Sequence, residues 1–171
     1  ARFSGGNGDL VRTIAQGLNM YSYYGPKTVA GTFGIALLSR YPIENPRTFY
    51  MYSVGEQTAA ILAEIEVNGT RYNVVVTHLG NGGPIIQQEQ VLAALDGKDK
   101  VIAMGDFNFR PGTPQYLLTR QQLADAWLVR WPTGRDNNGY NPKNRIDYIF
   151  VSPGTLIRIA RFITSQLSDH P

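Results

Sequence analysis

Val101-Ile102-Ala103-Met104-Gly105-Asp106-Phe107-Asn108 decides how this chain is read. Four apolar residues make a short buried strand, and its end carries a carboxylate followed two residues later by a carboxamide. Residues two apart on a strand point the same way, so Asp106 and Asn108 are expected side by side. An ionised Asp only accepts hydrogen bonds, whereas Asn both donates and accepts. Such a pair suits a metal-bound water on one side and a phosphoryl oxygen on the other. By itself, Gly-Asp-x-Asn is also a competent turn.

Three other segments carry polar groups on apolar runs. Val74-Val75-Val76-Thr77-His78-Leu79 brings a histidine to the end of a strand. Arg145-Ile146-Asp147-Tyr148-Ile149-Phe150 sets a carboxylate in a β-rich run, and Ser168-Asp169-His170 follows the apolar residues 157–163. Taken singly, each has a plainer reading. His78 reads as a satisfied core histidine, Asp147 as a partner for Arg145 two residues back, and Ser168-Asp169-His170 as a polar tail.

Taken in order, the series T-H-L, G-D-F-N, R-I-D-Y-I and S-D-H closely resembles the endonuclease/exonuclease/phosphatase superfamily of metal-dependent phosphoesterases. The resemblance spans nearly the whole chain. It implies an α+β fold of two packed mixed β-sheets flanked by helices, a four-layer α/β/β/α sandwich, in one domain over residues 1–171. It further implies a catalytic constellation of His78, Asp106, Asn108, Asp147 and His170. His170 would be the central acid/base or phosphate-contacting residue, with Asp147 orienting its ring. Asp106 and Asn108 would align the attacking water, and His78 would contact the phosphate or protonate the leaving oxygen. Asp169, with Asp106, would hold Mg²⁺ or Mn²⁺. Assignments of base and acid differ among members, so both stay open here. Thr133, Tyr140 and Arg145 are candidates to line the substrate's approach.

Composition agrees with one domain. The chain has 171 residues, 43% of them hydrophobic, enough for one sizeable core. Sixteen Lys and Arg against 13 Asp and Glu leave a net charge of +3, milder than an avid nucleic-acid binder needs. There is no cysteine, which excludes disulfides and thiolate metal sites. No apolar run approaches the roughly 20 residues of a membrane-spanning helix.

Periodicity predicts a helix over residues 9–19, capped from Asn7 or Asp9, and a strand over 34–39. Residues 58–67 alternate, Asn68-Gly69 is a two-residue hairpin turn, and 71–77 is the returning strand. Helices are expected over 85–95 and near 115–120, a loop over 131–144, and final strands over 145–152 and 156–163. Gly25-Pro26 reads as a breaker after the aromatic run Tyr21-Ser22-Tyr23-Tyr24. That run and Phe49-Tyr50-Met51-Tyr52 read as core and rim, or as aromatics for a membrane interface or for base stacking.

Two strands common in the superfamily, one bearing an asparagine and one a metal-binding glutamate, have no counterpart here. Both ends therefore read as cut, the sheet as lacking its first strands, and Mg²⁺ binding as weakened. Tyr24-Gly25-Pro26-Lys27-Thr28, Gly31-Thr32-Phe33-Gly34 and Leu38-Ser39-Arg40-Tyr41-Pro42-Ile43 are similar to one subgroup, the domain attached to GPI-anchor lipid-remodelling membrane proteins. That similarity implies a lipid- or glycolipid-linked phosphodiester as substrate and a place at a membrane within a larger protein. A nuclease of the same fold and a catalytically incomplete binding module are the alternatives.

Overall fold

The computed structural model describes residues 10–27, 33–164, 166, 168 and 170. In chain order its elements are α1 (Leu10–Gly17), β1 (Tyr21–Pro26), β2 (Gly34–Ser39), β3 (Glu44–Met51), β4 (Thr58–Val67) and β5 (Thr70–His78). They continue with α2 (Ile85–Ala94), β6 (Val101–Asp106), α3 (Pro114–Gln122), β7 (Ala124–Asp125), α4 (Ala126–Arg130) and β8 (Asp147–Val151). β1 and β2 form an antiparallel pair, and the other strands form one sheet in the order β3-β4-β5-β6-β8-β7.

Asn68 and Gly69 take positive φ, 50° and 74°, as a tight hairpin requires. They set β4 against β5 in register from Ala59↔His78 to Val67↔Thr70. β5 then runs parallel to β6, and a parallel pair needs a crossover, which α2 supplies.

β4 is apolar on both faces because both faces are covered. Ala60 and Leu62 join Val75, Val101, Ala103, Phe107 and Phe150 in a core closed by Val91 and Leu92 of α2 and Tyr116 of α3. Ile61, Ala63 and Ile65 face the other way, against Ile35 and Leu37 of β2. On the outer side of the smaller sheet, α1 packs against β1 and buries Val11 and Ala15. The layers are helix, small sheet, large sheet and helices, an α+β sandwich.

Several expectations are corrected. The sandwich of two packed sheets is as expected, and among the described residues the large sheet is mixed and the small one an antiparallel pair; the corrections are local. Gly25-Pro26 does not break the chain but belongs to β1. A Cβ on Gly25 would stand 2.7 Å from Ile61 Cγ1, so glycine is what lets β1 cross β4 closely. β3 was not foreseen; Pro46 hides it, and the register shifts between Glu44 and Arg47 where that proline sits. Residues 156–163 are not a strand. β8 already pairs β6 on one side and β7 on the other, and Leu156, Ile159 and Ile163 are 70–76% exposed. The segment is instead tied down by Trp131 Nε1, which donates to the Ala160 carbonyl at 3.1 Å. The expected caps Asn7 and Asp9, and Thr28, Gly31 and Thr32, lie outside the described residues.

Candidate active site

Sheet register builds the first part of the site. His78 closes β5, Asp106 closes β6 and Asp147 opens β8. The pairings His78↔Asp106 and Asp106↔Asp147 place the three side by side. They share the face of Val76 and Met104, because residues two apart on a strand point the same way.

The intervening residues anchor the row from beneath. Phe107 and Phe109 are fully buried and meet Tyr148 and Phe150 with ring centroids 5.2–6.5 Å apart. The run Asp106-Phe107-Asn108-Phe109 thus sends polar groups to the site and aromatic groups to the core. Gly105 takes φ 136°, and a Cβ there would stand 2.0 Å from the Thr77 carbonyl oxygen. Only glycine allows this approach of β6 to β5.

Asn108 reaches the site by a different route from strand alternation. The strand stops at Asp106, and Asn108 turns back with φ 55°. Its backbone N–H donates to Asp106 Oδ1 at 2.9 Å, and its Nδ2 donates to the Leu79 carbonyl at 2.8 Å. The turn and the site are one feature. Asn tolerates this left-handed conformation better than most residues.

His170 arrives from the C-terminal segment. Its Nδ1 lies 2.7 Å from Asp147 Oδ2 and its Nε2 4.0 Å from Asp106 Oδ2. A carboxylate accepts only, so Nδ1 carries the proton and donates, and Nε2 is the basic nitrogen. On the other side, His78 Nε2 lies 3.5 Å from Asp106 Oδ2. Burial holds His78 below its ordinary value, reinforced by the Lys27 charge and opposed by Asp106. Burial also pushes Asp106 up, against the hydrogen bond from the Asn108 backbone, with the Asp147 charge adding to the rise. His78 is therefore neutral at neutral pH, and its contact with Asp106 is no ion pair there.

Oxygens of Asp106 and Asp147 and a nitrogen of His170 lie within 4.8 Å of one another. Two hard carboxylate donors at that spacing fit an oxygen-preferring divalent cation. Asp169, expected to share in holding it, lies outside the described residues.

The structure does not gather every expected residue. Thr133 is exposed and donates to the Arg135 carbonyl. Tyr140 does line a cleft of about 410 Å³ with Arg110, Lys143, Asp147 and His170. Arg145 borders the same cleft, but its guanidinium is buried and bound to Asp125. Asp125 also accepts from Tyr116 Oη at 2.9 Å and the Trp127 backbone at 3.0 Å. The plain pairing of Arg145 with Asp147 is likewise replaced, since Asp147 turns to His170 and Arg145 to Asp125.

Gln87 was missed as a support of the site. Its Oε1 accepts from Gly80 N and its Nε2 donates to the Tyr52 carbonyl, at 2.8 and 3.0 Å. It thereby holds the loop that leaves His78. Its sequence context is the polar run Gln87-Gln88-Glu89-Gln90 between apolar helical residues, and within that run Gln87 and Gln88 are buried.

Residues 1–116 match the family described as PGAP2IP, C-terminal nuclease-like domain. Protein cwh43 of Schizosaccharomyces pombe is 42% identical over 73 residues, which cover 42% of this chain and 8% of that protein. The catalytic domain of human Nocturnin, solved with bound sulfate, superposes with a TM-score of 0.68 at 20% identity, over 85% of this chain and 65% of that one. An endonuclease/exonuclease/phosphatase family protein from Bacteroides thetaiotaomicron gives 0.67 at 16% identity, over 84% and 65%. The chain thus spans just under two thirds of these solved structures and a small part of the curated relative. The sequence match over residues 1–116 and the sandwich agree: the chain belongs to the endonuclease/exonuclease/phosphatase superfamily, within the family of the PGAP2IP C-terminal nuclease-like domain.

Proposed function

We propose that this domain hydrolyses phosphodiesters with a divalent cation, Mg²⁺ or Mn²⁺, and that its substrate is lipid- or glycolipid-linked. The observation that carries the reading is the convergence of His78, Asp106, Asn108, Asp147 and His170, from four separate segments, at one end of one sheet. Asp106 and Asp147 would hold the cation through their carboxylate oxygens, with Asp169 expected from the sequence to share in it. Bound there, it would neutralise charge on the phosphoryl oxygens and lower the pKa of a water.

The chain's own groups supply the rest. Asp147 fixes the His170 tautomer so that Nε2 faces Asp106 and can take a proton from a water aligned there. Asn108 locks Asp106 in place through its backbone N–H. Neutral His78 offers a ring N–H to a phosphoryl oxygen. Clefts lie on both sides of the row, one at Tyr140 and His170 and one at His78, as a diester with two arms requires.

The lipid-linked substrate is read from the resemblance of the segments at 24–43 and from the mild net charge. Among the described residues no helix is long and apolar enough to cross a membrane. The test is Mg²⁺-dependent hydrolysis of a simple aryl phosphodiester by this chain beside His170→Ala. Hydrolysis that EDTA removes, Mg²⁺ restores and His170→Ala loses is expected. Absence of both hydrolysis and Mg²⁺ binding would sink the proposal in favour of a binding module.

A further inference from the structure

Lys27 ends the small sheet just past β1 and is 2% exposed. Among the described residues its ammonium meets Glu56 at 3.3 Å and lies 4.8 Å above the Phe33 ring centroid. Burying an ammonium is costly unless its partners compensate fully. Glu56 compensates only in part, because its side chain is 63% exposed and solvent screens the pair. The pair opens into a cleft of about 360 Å³ shared with Tyr52, Thr58, His78 and Gln87. A buried cation with a loose anionic partner therefore faces the same cleft as the histidine at the end of the catalytic row.

We infer that Lys27 is a second phosphoryl-oxygen contact on the β4 side of His78, and that Glu56 occupies it until an anion displaces the carboxylate. The two partners differ in mobility. Glu56 follows Gly55, which has φ 86°, in an exposed turn, and can swing into water. The Lys27 stem is packed and stays. A carboxylate oxygen and a phosphoryl oxygen are equivalent acceptors for an ammonium, so Glu56 is a built-in stand-in for the ligand. Lys27 then binds one oxygen, His78 another, and the ester group on that side lies in the cleft. This assignment rests on the phosphodiester reading and says which groups bind the oxygens.

The test is calorimetric titration of the chain with inorganic phosphate, using wild type, Lys27→Met and Glu56→Gln. Lys27→Met is expected to weaken binding roughly tenfold to a hundredfold, the scale of one hydrogen bond to a charged group. Glu56→Gln is expected to tighten it several-fold, because the competing carboxylate is gone. A purely structural ion pair gives no tightening, so unchanged or weaker binding in Glu56→Gln overturns the assignment. If Lys27→Met does not fold, the Glu56→Gln titration decides alone. Phosphate binding that ignores both residues overturns this inference only, whereas no phosphate binding by wild type also counts against the phosphodiester reading.

Discussion

Asp147 Oδ2 stands 2.7 Å from His170 Nδ1 across 23 residues of chain, and this pairing joins the sheet to the C-terminal segment at the site. Asp147→Asn keeps the shape but replaces an acceptor-only group by one that can donate, which selects the wrong imidazole tautomer. In the proposed reaction kcat is expected to fall by about 10² to 10⁴-fold, as when the orienting carboxylate of a triad is lost. Urea midpoints should barely move. A variant with full kcat and an unchanged pH–rate profile would remove Asp147 from the mechanism.

Asp106 makes stability depend on pH with a definite sign. Burial raises its folded-state pKa above the ordinary 3.8, so the folded chain holds this proton more tightly than the unfolded chain. The stability this gives is complete below the unfolded value and is lost as pH rises through the raised folded value. Asp106→Asn removes that loss. In EDTA it should be more stable than wild type at neutral pH, by on the order of 1 kcal/mol, and the gap should shrink toward pH 4. Urea denaturation at several pH values measures this, and a gap that grows toward acid would contradict it.

Arg145 acts as a structural cation. Arg145→Met leaves Asp125 buried without its charge partner, and breaking such a pair costs about 3–5 kcal/mol. Adding Asp125→Asn should return part of that stability, which chemical denaturation of both variants would show. A cost below about 1 kcal/mol for Arg145→Met would mean the pair is screened like a surface one.

Gly105→Ala tests the close approach of β6 and β5. The new methyl meets the Thr77 carbonyl, and the backbone must also keep φ 136°. Destabilisation of more than about 2 kcal/mol is expected, along with loss of the proposed Mg²⁺ binding, because Asp106 follows directly. A thermal melt matching wild type would show that the two strands can separate without harm.

Much of the fold was legible where one local rule acted alone. The Asn68-Gly69 turn, β2 at 34–39, α2 and β6 follow from turn chemistry and apolar periodicity, and the structure has them within a residue or two. Signals failed where a neighbour overruled the local preference. Gly25-Pro26 looks like a break until Ile61 requires a residue without a side chain. Residues 156–163 look like a strand, but β7 already pairs the Phe150–Val151 end of β8 and Trp131 holds the segment at Ala160 instead.

The same division holds for the site. By itself the sequence determined which chemical groups are available: His78, Asp106, Asn108 and Asp147 end or interrupt apolar runs, and His170 lies in a polar stretch after residues 157–163. Side-chain type and strand period are properties of a few adjacent residues, so they can be read along the chain. Only the tertiary structure decided that Arg145 belongs to Asp125 and that buried Lys27 shares a cleft with His78. Those pairings depend on sheet register and on which charge is left in low dielectric, where a group must take whichever partner the packing brings within reach.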